Sequence, residues 1–151
     1  MVERFLEQTS FASQEDFIEH MKIKVPEGFN FGYDIVDRWA DEAPDRNALL
    51  WTDDRGEHIQ FTFADMKKYS DQAASYLQSL GVGFGDKVML ILKRRYEFWF
   101  SMIALHKLGA VAIPATFLLT KEDMVYRCNA AGVKVILVVG EEPVVTQVKD
   151  A

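Results

Sequence analysis

One cysteine, Cys128, stands among 151 residues, so no internal disulfide can form. The three histidines, His20, His58 and His106, are scattered, and no Cys/His ligand set or His-x-x-x-His pair accompanies them. That spacing offers a structural or catalytic zinc ion nothing to hold. A Gly-x-Ser-x-Gly nucleophile turn is also missing. Basic residues are the minority: 17 Lys and Arg against 23 Asp and Glu leave a net charge of −6, which disfavours nucleic acid as a main partner. No run of apolar residues has the length of a membrane span. The opening Met1-Val-Glu-Arg-Phe-Leu-Glu-Gln carries acids and lacks the apolar centre of a signal peptide. These absences predict a chain without a metal site, a nucleic-acid partner or a membrane segment, and place it in the cytoplasm.

What is present points to an α/β fold. Hydrophobic residues are 49% and charged residues 26%, enough apolar material at this length for a real core. Residues 88–92 (Val-Met-Leu-Ile-Leu), 110–114 (Ala-Val-Ala-Ile-Pro) and 134–139 (Lys-Val-Ile-Leu-Val-Val) are nearly continuous apolar runs. Such runs suit strands buried on both faces of a parallel sheet. Between them lie helical stretches, 95–108 and 120–132, closed by Gly109 and Gly132. Strand, helix, strand, helix, strand requires parallel pairing through right-handed crossovers.

Upstream, Ser13 with Asp16 predicts a capped helix to about residue 22, broken by Pro26-Glu-Gly28. Residues 1–29 therefore read as a helical arm. Tyr33, Val36, Trp39 and Ala40 at helical spacing predict a helix over 30–43, ended by Pro44. Residues 47–51 and 57–61 flank a Gly-containing turn and predict a hairpin. Thr62 caps a helix to about residue 80, whose stripe of Phe63, Met66, Tyr69, Ala73, Leu77 and Leu80 reads as core.

Gly81-Val-Gly-Phe-Gly85 has the look of a dinucleotide loop but follows a helix and precedes a strand. A phosphate-binding loop needs the reverse order, so that helix N–H groups face the pyrophosphate. It reads as a helix stop and a turn, with Asp86 bonding turn amides. Lys93-Arg94-Arg95 reads as a solvated strand-to-helix corner, with Glu97 forming a surface pair worth about 0–1 kcal/mol. Asp53, Asp54 and Glu57 read as a solvated hairpin end, Glu141-Glu142 as an exposed turn, and Arg127 as the partner of Asp123. His106 is expected to bond a carbonyl in the last turn of its helix. Cys128 reads as an inert thiol, and no residue stands out as catalytic or metal-binding.

Taken in order, a set of short segments resembles the N-terminal part of the AMP-forming acyl-CoA synthetases, within the adenylate-forming superfamily. They are Trp39-Ala-Asp-Glu-Ala-Pro-Asp-Arg46, the hairpin with Trp51 and Gly56, Phe61-Thr-Phe-Ala-Asp-Met66, and Leu80-Gly-Val-Gly-Phe-Gly-Asp-Lys-Val88. Tyr96-Glu-Phe-Trp99, Leu108-Gly-Ala-Val-Ala-Ile-Pro-Ala115, Leu119-Thr-Lys-Glu-Asp123 and Tyr126-Arg127 continue the series. The pattern is nearest to the acetyl- and medium-chain enzymes.

The resemblance implies the first part of that fold's large AMP-binding domain over residues 30–151, ending before the phosphate loop. It implies a two-step ligation in which a carboxylate attacks the α-phosphate of ATP and the thiol of CoA then displaces AMP. ATP, Mg2+ and CoA are thereby implied for the whole enzyme, and none is expected to be held by this chain alone. The remainder of the ligase, core and C-terminal lid, is the implied partner, and a carboxylic acid the implied substrate. One local site carries over: Leu118, in the loop Ala115-Thr-Phe-Leu-Leu-Thr120, matches a CoA-proximal polar position of medium-chain relatives. Leucine offers no polar side-chain atom there, leaving backbone groups or apolar contact with pantetheine. Two other readings remain open: a short non-catalytic interaction module, and part of an adenylation domain that serves a carrier protein.

A sheet of three strands has open edges, which invite pairing between copies. The isolated chain is expected to self-associate at high concentration. A sharp monomer in light scattering counts against this.

Overall fold

The computed structural model describes residues 2–151, and its contacts divide the chain into two units, Met1–Asn30 and Phe31–Ala151. The first unit doubles back on itself. A 3-10 turn, Val2–Arg4, precedes a helix, α1, Gln14–His20, and an antiparallel bridge joins Leu6 to Ile23. Edge-on ring pairs, Phe5 with Phe29 and Phe11 with Phe17, supply its apolar contacts. Ser13 caps α1 as expected, its Oγ accepting the Asp16 N–H at 3.2 Å. The reciprocal half of a capping box does not form. The Asp16 carboxylate instead accepts the Ala12 N–H at 2.7 Å and lies 2.8 Å from His20 Nδ1.

In the second unit, a π-helical segment, Phe31–Asp37, runs into α2, Arg38–Glu42, where a single regular helix is predicted from the spacing. The hairpin follows: β1, Asn47–Thr52, pairs antiparallel with β2, His58–Thr62. The Asp53 carboxylate accepts the N–H groups of Arg55 and Glu57, both at 2.9 Å, so this acid builds the turn rather than merely facing solvent. Helix α3, Phe63–Ser79, opens with a complete capping box: Thr62 Oγ1 accepts the Asp65 N–H, and the Asp65 carboxylate accepts the Thr62 N–H. Its buried face is Met66, Ser70, Ala74 and Leu77, and Leu80, assigned to the stripe from sequence, lies beyond the helix and 45% exposed.

The sheet comes next. Strands β3, Lys87–Ile91, β4, Val111–Pro114, and β5, Val133–Val138, pair in parallel in the order β4-β3-β5. Helix α4, Glu97–Leu108, joins β3 to β4, and α5, Lys121–Ala131, joins β4 back to β5. The two crossovers run in opposite directions over the sheet, so right-handedness puts α4 and α5 on opposite faces. Packing agrees, since α4 lies on α3 and β4, while α5 lies on β5 and α6, Val144–Asp150. Val88, Met89, Leu90 and Ile91 are at most 1% exposed, which a strand with one bare face could not achieve. Each such side chain contributes about 1.5–3 kcal/mol through burial. A second cluster joins Val36, Phe61, Met66, Phe100 and Ile103 between hairpin and helices, with Phe61 edge-on to Phe100 at 5.2 Å.

The glycine turn behaves as a turn. Gly83 N–H donates to Asp86 Oδ2 at 2.8 Å, and Lys134 Nζ reaches the same oxygen at 2.7 Å and the Gly81 carbonyl at 2.6 Å. Lys134 sits where the β3–β5 register slips by one residue, and such a bulge re-aims its side chain toward the turn. Gly109 ends α4 with φ 64°, a left-handed conformation that favours glycine, and a Cβ there would also push aside the exposed Phe84 ring, 2.6 Å away.

Helix α4 is less uniformly buried than its composition suggests. Trp99 is half exposed, whereas Lys107, a residue no sequence pattern singles out, has a side chain only 1% exposed. Its ammonium lies 2.7 Å from Asp37 Oδ1 and 2.6 Å from Asp71 Oδ1, and 5.5 Å from the Tyr33 ring centre. Asp37 is nearly buried, at 12% side-chain exposure, but Asp71 is 51% exposed. The Asp37–Lys107 pair therefore carries the strong coupling, because an exposed partner is screened by water.

Two outcomes follow from these charges. Lys107→Met is expected to destabilise by about 3–5 kcal/mol through the nearly buried Asp37 carboxylate left behind, Asp37→Leu by less because Asp71 still binds the ammonium, and the double variant Lys107→Met/Asp37→Leu by clearly less than the two singles summed. Asp71→Ala should cost under about 1 kcal/mol. Urea unfolding of the four variants checks this. The second concerns acid. Lys134, then the Gly83 amide, hold the Asp86 carboxyl below its ordinary value. A depressed carboxyl stabilises the fold above its unfolded pKa, and that stability is lost as pH falls through the folded value. The urea midpoint is expected to drop as pH falls below 3.8, the ordinary aspartate value, and Asp86→Asn should flatten that drop. An unchanged pH dependence in the variant refutes it.

Candidate functional site

The carboxyl ends of the three parallel strands lie side by side, and each feeds a loop: 92–96 after β3, 115–120 after β4 and 139–143 after β5. The helices that follow adjacent strands β3 and β5 leave on opposite faces, the arrangement that opens a crevice in doubly wound sheets. A cavity of about 400 Å3 occupies that position, lined by Leu92, Arg95, Glu97, Val139, Gly140 and Glu141.

Lys93 ties the three loops together. Its ammonium hydrogen-bonds Glu141 in the loop after β5 and stands 5.1 Å from the Phe117 ring in the loop after β4. Its own backbone has φ 50°, a left-handed conformation rare for a residue with a side chain. That kink turns the chain sharply at the strand end and presents three consecutive cations. Lys93 holds the Glu141 carboxyl below the usual carboxylate range through its hydrogen bond. Arg95 binds both carboxylate oxygens of Glu97, at 3.2 and 2.9 Å. This bond leads the upward shift of the Arg95 guanidinium. For Glu97, burial pushes the carboxyl up, but the Arg95 and backbone hydrogen bonds outweigh it and leave it low. The corner is therefore built, not merely solvated. Trp51 Nε1 donates to the Arg94 carbonyl at 2.7 Å and fixes the hairpin to the same turn.

Leu118 sits in the loop after β4 and is 74% exposed. Its N–H donates to Thr116 Oγ1 at 3.2 Å. Of the polar groups considered for this residue, only its carbonyl is then left uncommitted to that turn. Thr120 closes the loop with a capping box around Asp123, which answers for that acid; Arg127 adds only a distant charge. His106 packs edge-on against Phe31 at 5.5 Å, His58 lies on β2, and His20 belongs to the first unit. Cys128 is half-buried on α5. The structure thus brings together Lys93, Arg95, Glu97, Glu141 and the Leu118 loop, and leaves the histidines and cysteine apart. The Lys93 junction escaped sequence reading, because its partners lie 24 and 48 positions away. The one available signal was the run of three cations at a strand end.

No group of three or more His, Cys, Asp or Glu side chains able to hold a metal ion occurs among the described residues. The glycine-rich turn stands at the amino ends of the strands, away from these loops.

Comparison with known proteins agrees with the geometry. The model of the AMP-binding enzyme family matches residues 36–151. The rat acyl-coenzyme A synthetase ACSM5, a mitochondrial protein, is 37% identical over 122 residues, covering 77% of this chain and 21% of the relative. Human ACSM3, likewise mitochondrial, is 31% identical over 134 residues, covering 85% of this chain and 23% of the relative. The chain spans less than a quarter of the length of these relatives. The N-terminal domain of FACL13 from Mycobacterium tuberculosis superposes with a TM-score of 0.70 at 26% identity, over 80% of this chain and 29% of that one. A benzoate CoA ligase from Burkholderia xenovorans, TM-score 0.69 over 81% of this chain and 23% of its own, shares the fold at 23% identity. A match that begins within the π-helical segment and runs through all three parallel strands makes this chain a member of the AMP-binding enzyme family.

Proposed function

We propose that the chain is the opening segment of an AMP-forming acyl-CoA synthetase. The observation that carries this is the family match over residues 36–151 together with relatives named as acyl-coenzyme A synthetases. The whole enzyme would join a carboxylic acid to CoA through an acyl-adenylate, releasing pyrophosphate and then AMP. ATP, Mg2+ and CoA belong to that whole. Acyl-adenylate chemistry rests on positioning and on charge-stabilising donors around the phosphates.

The part this chain plays is to form one wall of the site. The loop after β4 presents Leu118 as an apolar, exposed surface suited to the pantetheine arm of CoA, and Lys93 fixes that loop against the ends of β3 and β5. Lys93→Ala would free the loop after β4 from the other two. In the whole enzyme its expected effect is a raised KM for CoA with the adenylation half-reaction unchanged.

ATP–pyrophosphate exchange tests the assignment, run on the protein translated from the entire reading frame with a panel of carboxylic acids. Carboxylate-dependent exchange, followed by thioester formation on CoA, is expected. For the 151-residue chain by itself, exchange no higher than the no-enzyme blank is expected. Exchange that ends on a carrier-protein thiol and never on CoA would reassign the chemistry. A reading frame that closes after Ala151 would overturn the ligase reading in favour of an interaction module.

A further inference from the structure

A second groove borders the β3–α4 turn. It has a volume of about 310 Å3 and is lined by Lys93, Arg94, Arg95, Phe98 and Trp99. Its composition differs from that of its neighbours. The cavity between β3 and β5 includes Glu97 and Glu141, and the opening toward the hairpin includes Asp53 and Asp54. This groove has three cations and two aromatic rings and no carboxylate residue. Among the described residues, Arg94 is the member of the trio without an ion pair, since Lys93 and Arg95 are engaged by Glu141 and Glu97. Trp99 leaves half of its surface open on α4, whereas the next aromatic, Phe100, is buried.

We propose that this groove binds a nucleoside phosphate, with the phosphate on the Arg94 guanidinium and the base against the Trp99 indole. A guanidinium offers a planar fork that matches phosphate oxygens in a bidentate manner, and two further cations stand beside it. An exposed indole provides a stacking face that accepts any base. The volume lies at the lower end of the range for small-molecule sites and admits a mononucleotide. Arg94 follows the left-handed Lys93 and lines the groove together with Trp99. The Glu97 and Glu141 pairs hold the flanking cations in place, which leaves Arg94 as the receptor. This site is independent of adenylate formation and needs none of the groups invoked for it.

The test uses the 151-residue chain, 15N-labelled, with GMP as the probe, because guanine avoids confusion with adenine recognition by the proposed ligase. Three tryptophan indole signals are present, and Trp99→Phe assigns the relevant one. GMP is expected to shift that signal saturably, with a dissociation constant below about 1 mM. Guanosine and inorganic phosphate should each bind at least about tenfold more weakly, since each lacks half of the contacts. Arg94→Gln should weaken GMP about tenfold or more while leaving the Trp51 indole signal in place, because Trp51 is held by the Arg94 carbonyl and not by its side chain. Trp99→Leu should weaken GMP but leave phosphate unchanged. Added salt should weaken GMP and not guanosine. A linear, unsaturated titration, guanosine or phosphate binding as tightly as GMP, or an Arg94→Gln chain with unchanged affinity overturns the proposal. None of these outcomes bears on pyrophosphate exchange, so failure here and failure of the ligase reading are separable.

Discussion

Burial of β3 on both faces governs the second unit. Successive side chains of a strand point to opposite sides, so Val88 and Leu90 need one cover and Met89 and Ile91 another. One helix layer cannot supply both. The chain meets the requirement by sending α4 over one face on the way out to β4 and α5 over the other on the way back to β5. The crevice at the strand ends is a by-product of that solution, because loops leaving neighbouring strands in opposite directions cannot fill the space between them. Position and shape of the site thus come from the need to hide four apolar side chains.

Charges then divide by depth. Lys107 and Asp37 lie inside the packing of α4 against the π-helical segment and α3, where each requires the other. Such a pair adds little net stability over an apolar pair of equal volume, but it penalises any packing that separates its members. Nearer the surface, Lys134 on β5 fastens the turn before β3 through Asp86, and Lys93 joins the loop after β3 to the loop after β5 through Glu141. These exposed pairs contribute modestly to the total free energy. Their effect is local, in fixing which way a turn faces.

Sequence reading succeeds wherever the signal is local. The apolar runs give the strands, Thr62 and Thr120 give helix starts through capping boxes three residues long, and Gly109 and Gly132 give helix ends in the left-handed region. The order of glycines, helix and strand suffices to reject a dinucleotide loop at residues 81–85. What fails is nonlocal. Lys107 reads as an ordinary surface lysine because its partners are 36 and 70 positions away, on other elements. The π-helical start of the 31–42 segment leaves no composition signature, since it answers to packing against α4. Lys93 reads as one of three solvated cations until the fold brings Glu141 and Phe117 to it. The family resemblance supplies the overall identity, but at Leu118 it supplies a position without its chemistry.

The arrangement of backbone amides bears on how an anion at this end of the sheet is met. Helix N-termini hold phosphates when their first N–H groups are free and glycine lets the ligand approach. At α5, the Asp123 N–H is taken by Thr120 Oγ1 and the Thr120 N–H by the Asp123 carboxylate, so a self-contained cap fills the place a phosphate would use. At α6, Glu142 takes the Thr146 N–H. At α4, the residues before the helix are Lys-Arg-Arg-Tyr, with no glycine to permit close approach. Four of the positive-φ glycines, Gly81, Gly85, Gly109 and Gly132, lie at the opposite end of the strands. The caps at α5 and α6 thus occupy some of the amides an anion would use, and the guanidinium and ammonium groups of residues 93–95 stand beside them as charged anion receptors. Of those at the β3 end, Lys93 and Arg95 are committed to carboxylates, which leaves Arg94 as the member of the trio without an ion pair among the described residues.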